Sequence, residues 1–157
     1  MNILTVDPGM NTAYAVWQDD DLTNTGIFKA SKIDSCKNPA TQEGKLIGLW
    51  KHFSRLLRDH KLEQVFIEGV EIWMGSDRSI IAASTGKLML LNYLIGGYCN
   101  LCYMDGVSFR IIKPTEWKGQ LSKSATKLRV ERALGKEFKN EHIIDAIGIG
   151  LAMQDRL

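Results

Sequence analysis

The feature that most limits what this chain can fold into is a short apolar strand ending in an acid, Asn2-Ile3-Leu4-Thr5-Val6-Asp7-Pro8-Gly9. Ile3, Leu4 and Val6 read as a strand buried on both faces, which suits the middle of a sheet. Pro8 fixes its own φ and Gly9 permits a positive one, so a turn follows at once and holds Asp7 at the sheet rim. Two readings fit this stretch alone: Asp7 caps a tight β-hairpin, or it binds a metal ion and needs acidic partners. Gln64-Val65-Phe66-Ile67-Glu68-Gly69 repeats the pattern, a buried strand ending in a carboxylate before glycine. Two strands of one sheet, each tipped by an acid, are hard to attribute to solubility.

The C-terminal end supplies further ligands. Asn140-Glu141-His142-Ile143-Ile144-Asp145-Ala146-Ile147-Gly148-Ile149-Gly150 opens a helix predicted to run from about Asn140 to Met153. His142 and Asp145 are three apart and share one helical face. Beyond Asp145 the small residues Ala146, Gly148, Gly150 and Ala152 let the helix pack closely on a sheet. An acid favoured by the helix dipole explains Glu141 in the first turn, but not Asp145 one turn into a buried helix. Asp7, Glu68, His142 and Asp145 are therefore the candidate metal ligands. Such hard donors suit Mg²⁺ or Mn²⁺, whereas zinc prefers thiolate or more imidazole. Two such ions roughly 3.5–4 Å apart can activate a water and stabilise the leaving oxygen of a phosphodiester. Clustered acids without cations would repel one another.

The segments between these motifs predict an α/β fold. Thr12 to Trp17 and Thr25 to Ile33 read as second and third strands, completing an antiparallel β-meander. Asp19-Asp20-Asp21 lies at the hairpin tip, where its charge serves solubility. Asp34 to Ala40 reads as a polar loop. From Thr41 to His60, the spacing of Leu46, Leu49, Trp50, Phe53, Leu56 and Leu57 gives an amphipathic helix. His52 and His60 fall on or near its polar side. Gly69 to Ser79 reads as a loop bearing Glu71, Trp73 and Arg78.

A long helix follows from Ile80 to about Met104, apolar over most of its circumference. Such a helix is either central to the fold or paired with a copy of itself. Gly86-Lys87 is not a phosphate loop, because Ile81 and Leu88 occupy the positions of the required first glycine and Ser/Thr. Cys99 and Cys102 form a lone Cys-x-x-Cys without the second pair a zinc site needs. Val107 to Ile112 is a further strand, and Ser122 to Lys127 opens a helix reaching about Leu134.

At 157 residues the expectation is one domain, 1–157, with a single substantial core. No apolar stretch is long enough to span a bilayer, and no leader precedes the first strand. Three cysteines, Cys36, Cys99 and Cys102, make no disulfide framework and fit a reducing compartment. The net charge of +2 hides an asymmetry: Arg110 to Lys139 carries nine basic residues against three acids, a local +6. That segment is either a polyanion footprint or a solvated helical surface.

The order of these motifs resembles the RuvC-type Holliday junction resolvases of the ribonuclease H-like superfamily. Ile3 to Thr12 is similar to the family's opening motif, Val65-Phe66-Ile67-Glu68 to the second, and His142 to Ile147 to the last. The helix Ser79 to Met104 and the segment Ser124 to Val130 also correspond, so the resemblance spans nearly the whole chain. It implies a mixed five-stranded sheet, antiparallel meander plus parallel strands, flanked by helices. It implies that Asp7, Glu68, His142 and Asp145 bind two Mg²⁺ or Mn²⁺ ions and that Lys127 sits beside the scissile phosphate. It also implies a homodimer through the helix 80–104, each subunit nicking one strand of a four-way DNA junction. The setting implied is the cytoplasm of a bacterial or phage-infected cell; the short loops look like viral or phage versions.

Where family members often place an aromatic, three residues past the second acid, this chain has Glu71. Trp73 is then a candidate for base stacking or simply a core aromatic, and Glu71 a candidate to orient the attacking water. Lys113, Lys118, Lys123, Lys127 and Arg129 are the candidate phosphate contacts, which give affinity without reading bases. Competing readings are the same chemistry on flaps, forks or RNA–DNA hybrids, a silent junction-binding protein, or an actin-like nucleotide binder. The last lacks its second glycine-rich hairpin here, and the silent binder is disfavoured by four competent ligand positions.

Overall fold

The computed structural model describes residues 1–30, 41–71 and 86–157. Cys36, Trp73 and Arg78, the expected loop 34–40, most of the loop 69–79 and the first residues of the helix 80–104 lie outside them. The described strands are β1 (Asn2–Asp7), β2 (Asn11–Gln18), β3 (Asp21–Lys29), β4 (Gln64–Glu68) and β5 (Ser108–Ile112). The helices are α1 (Gln42–Asp59), α2 (Lys87–Met104), the short α3 (Pro114–Trp117), α4 (Lys123–Leu134) and α5 (Glu141–Met153).

The five strands form one sheet in the order β3-β2-β1-β4-β5. β1 runs antiparallel to β2 and parallel to β4, and β4 is parallel to β5. This is the expected mixed sheet, with the acid-tipped β1 and β4 side by side at its centre. The third strand begins earlier than its composition predicts. Asp19 and Asp20 make a two-residue turn with positive φ, 49° and 70°, which pairs Gln18 with Asp21 and draws Asp21 into β3. Aspartate tolerates that conformation and matches the strand twist, so the third acid belongs to the strand. The short helix α3, with proline in its first turn, was also not foreseen.

Alternation along the strands sorts the side chains onto two faces. Leu4, Val6, Val65 and Ile67 face one way, into a core with Leu49 and Phe53 of α1 and Leu94 and Tyr98 of α2. Ile3 faces the other way, with Ala13, Ala15 and Trp17, onto Ala146, Ile147 and Leu151 of α5 and Val130 of α4. Asp7 and Glu68 continue this second face, so both acids point to the side covered by α5.

A buried hydroxyl fixes how α5 sits on β1. Thr5 Oγ1 donates to the Ala146 carbonyl at 2.6 Å and accepts from the Trp17 indole N–H at 3.2 Å. Gly150 makes room for that indole, since a Cβ there would collide with the Trp17 ring. On the turn, Thr12 Oγ1 donates to the Gly9 carbonyl at 2.7 Å and lies 2.9 Å from the Tyr98 hydroxyl, tying the rim beside Asp7 to α2. No helix among the described residues is long and apolar enough to cross a membrane.

Thr5→Val keeps the shape of the side chain but leaves the fully buried Trp17 N–H without its acceptor. The variant is expected to lose about 1–3 kcal/mol of stability, measured from urea unfolding midpoints.

Candidate active site

The site grows from the C-terminal ends of β1 and β4. Their last paired residues are Val6 and Ile67, and each strand carries its acid one step further on. α5 approaches from the same face. Its N-cap, Asn140, accepts from the backbone N–H groups of His142 (3.0 Å) and Ile143 (3.3 Å), which fixes the first turn and the direction of His142. His142 Nδ1 then lies 2.7 Å from Asp7 Oδ2. Asp145 follows one turn later on the same side of the helix.

The three carboxylates feel one another. Burial pushes the Glu68 carboxyl up to about 7, reinforced by the charges of Asp7 and Asp145 and opposed by Lys118 and by a hydrogen bond from Trp117. Burial likewise raises the Asp145 carboxyl, with Asp7 adding to it and Lys118, Lys123 and His142 opposing. The hydrogen bond to Asp7 holds the His142 proton above the ordinary imidazole range, with the charges of Asp7 and Asp145 acting in the same direction. The cluster thus carries more negative charge than its surroundings neutralise.

Protein groups meet part of that charge. The Trp117 indole N–H donates to Glu68 Oε1 at 3.0 Å, and the Lys118 ammonium stands 3.6 Å from the same oxygen. Among the described residues no three acidic, histidine or cysteine side chains converge as a ready-made ligand cage. Asp7 leans on His142 and Glu68 on Trp117 and Lys118. The chemistry of the donors nevertheless suits a hard divalent cation: three carboxylates and one imidazole, two of the acids raised by burial and by mutual repulsion.

The basic residues divide around this centre. Lys123, Ser124 and Lys127 line a cleft of about 330 Å³ with Glu141, Ile144 and Asp145. Lys123 pairs with Glu141 at 2.8 Å, and the Lys127 ammonium lies 3.8 Å from Glu131. Lys118 and Arg129 share a second cleft with Glu116, Trp117 and Leu121. Lys113 is exposed at the N-terminus of α3. Trp73 lies outside the described residues. Lys118, expected only as a phosphate contact, is the lysine that touches Glu68. Trp117 as a carboxylate partner was not foreseen; Gly148, three residues after Asp145, was the available signal, because a side chain there would strike the Trp117 ring.

No family model and no curated protein sequence matches the chain. Solved structures do. The complex of Thermus thermophilus RuvC with a Holliday junction substrate superposes with a TM-score of 0.72 at 16% identity, over 97% of this chain and 91% of that one. The fold is that of the RuvC-type resolvases. The fowlpox virus resolvase bound to Holliday junction DNA gives 0.56 at 20% identity, over 99% of each chain. The yeast mitochondrial Holliday junction resolvase gives 0.57 at 14%, over 96% of this chain and 77% of that one.

A carboxyl raised by folding keeps a proton that the unfolded chain has already released. Glu68 therefore costs stability increasingly as pH rises from about 4.5 to about 7, and the full cost stands above that. In EDTA, Glu68→Gln is expected to stabilise the protein by about 1–3 kcal/mol at pH 8 and by little near pH 4.5. Urea midpoints at the two pH values measure the difference; an equal effect at both would remove the charge explanation.

Proposed function

We propose that residues 1–157 form a single nuclease domain that nicks branched DNA, with the four-way junction as its principal substrate and a divalent cation as its cofactor. The observation that carries this reading is Asp7 and Glu68 at the ends of two adjacent central strands, on the face covered by the helix that bears His142 and Asp145, in a sheet with the resolvase fold. The solved structures of that fold in complex with junction DNA support the choice of substrate. Asp7, Glu68, Asp145 and His142 would hold two Mg²⁺ or Mn²⁺ ions, and the bound metal would supply activation of water and stabilisation of the leaving oxygen.

 

The other residues act by position and charge. His142, held by Asp7 and by the N-cap, keeps the Asp7 carboxylate in one orientation. Lys118 offsets charge at Glu68, and Lys123 and Lys127 offer cations in the cleft beside Asp145, where a DNA phosphate would lie. With Lys113 and Arg129 they form the phosphate-binding set, so affinity should fall steeply with salt. A second copy docking along α2 fits its exposed Met89, Tyr93, Tyr103 and Met104 and would set two such sites on one symmetric junction. The unpaired thiols of Cys99 and Cys102 suit a reducing cytoplasm.

Matched four-way junction, flap, fork and linear duplex substrates, with and without Mg²⁺, test the reading. Cleavage of the junction that requires Mg²⁺ is expected; equal cleavage of all four, or cleavage unaffected by EDTA, would contradict it. Asp7→Asn and Asp145→Asn are each expected to lower junction cleavage by about 100-fold or more while leaving junction binding in Ca²⁺ nearly unchanged. Lys127→Ala should reduce cleavage more than binding, measured as single-turnover rate against dissociation constant.

A further inference from the structure

Glu71 stands where the sequence departs from the resolvase pattern, and both of its carboxylate oxygens are engaged by one residue. The Thr115 hydroxyl donates to Oε1 at 2.9 Å and the Thr115 backbone N–H to Oε2 at 3.3 Å, both in half-buried surroundings. Thr115 belongs to α3, the turn that ends in Trp117 and is followed by Lys118. Those two residues are the ones that reach back to Glu68, at 3.0 Å and 3.6 Å. The contacts close a ring: Glu68 and Glu71 leave the end of β4 three residues apart, and Thr115 and Trp117 return from α3 to meet them.

The rest of the turn is pinned independently. Glu116 accepts from Arg110 of β5 at 2.9 Å and from the Lys113 backbone N–H at 3.4 Å. The Trp117 ring is buried and seated against Gly148 of α5. A turn this short cannot hold a large indole in one orientation by itself. The link to Glu71 ties the first half of the turn to the segment that follows β4, beside the contacts that Trp117 and Lys118 make with Glu68.

We propose that Glu71 is a positioning residue: through Thr115 it fixes the turn 114–118 so that the Trp117 indole sets the orientation of the Glu68 carboxylate toward its cation. The inference rests on the reading of Glu68 as a cation ligand. With both oxygens held by Thr115, Glu71 acts through the turn and does not orient the attacking water.

The test uses the full chain, first free of metal and then titrated with Mn²⁺. The Trp117 indole N–H resonance is assigned by its loss in Trp117→Phe and followed in Glu71→Ala, Thr115→Val and Thr115→Ser. In Glu71→Ala and Thr115→Val the indole proton is expected to move upfield and to exchange with solvent about 10-fold faster. The Mn²⁺ dissociation constant, read from the free-ion paramagnetic resonance signal, should rise about 10-fold. Thr115→Ser should stay close to the parent in both. An unchanged indole signal or an unchanged Mn²⁺ affinity in folded Glu71→Ala would overturn the proposal; Thr115→Val serves the same purpose if Glu71→Ala does not fold. If the parent protein binds no Mn²⁺ that Asp7→Asn loses, the cation reading itself falls, a result distinct from loss of the relay alone.

Discussion

Asp7 and Glu68 on one face of the sheet and Asp145 on the helix that covers it repel one another, and the rest of this structure is arranged around that repulsion. Two like charges about 5 Å apart cost roughly 3 kcal/mol at the effective dielectric of a protein interior. That is a large part of the 5–15 kcal/mol by which a domain is typically stable. The fold offsets some of it with His142 beside Asp7 and with Trp117 and Lys118 beside Glu68. The raised carboxyls of Glu68 and Asp145 record burial first and the remaining repulsion second. A divalent cation is the simplest group that would remove the remainder, and the same attraction would draw the ligands together.

Such a cluster survives only on a scaffold that does not yield. Its rigidity comes from apolar packing on both faces of the sheet and from a few buried polar contacts. Thr5 joins β1, β2 and α5 through one hydroxyl, and Thr12 joins the Pro8-Gly9 turn to Tyr98 of α2. The glycines at 148 and 150 let α5 lie against the Trp117 and Trp17 rings. The small residues of the last helix therefore serve the site as well as the core, because they set how near Asp145 comes to the sheet.

Much of this was legible in the residues. Apolar runs ending in Asp7 and Glu68 required central strands with rim carboxylates, and the three-residue step from His142 to Asp145 required one helical face. The antiparallel meander was read from the residues as well, whereas the parallel strands beside it were expected from the resemblance to the resolvases. The parts that escaped it depend on contacts between residues far apart in the chain. Nothing local tells Trp117 that its N–H will meet Glu68, or Glu71 that Thr115 will take both of its oxygens. The start of β3 escaped for a local reason: an Asp-Asp pair at positive φ is a less common hairpin turn than one containing glycine.

Diffraction at the manganese absorption edge from crystals soaked in Mn²⁺ bears most directly on the central claim, because it locates the cation without reference to activity. Anomalous peaks bounded by Asp7, Glu68 and Asp145 are expected, two of them within about 4 Å of each other at full occupancy, and none in Asp7→Asn crystals. Peaks confined to other parts of the surface, or none at millimolar Mn²⁺, would contradict it.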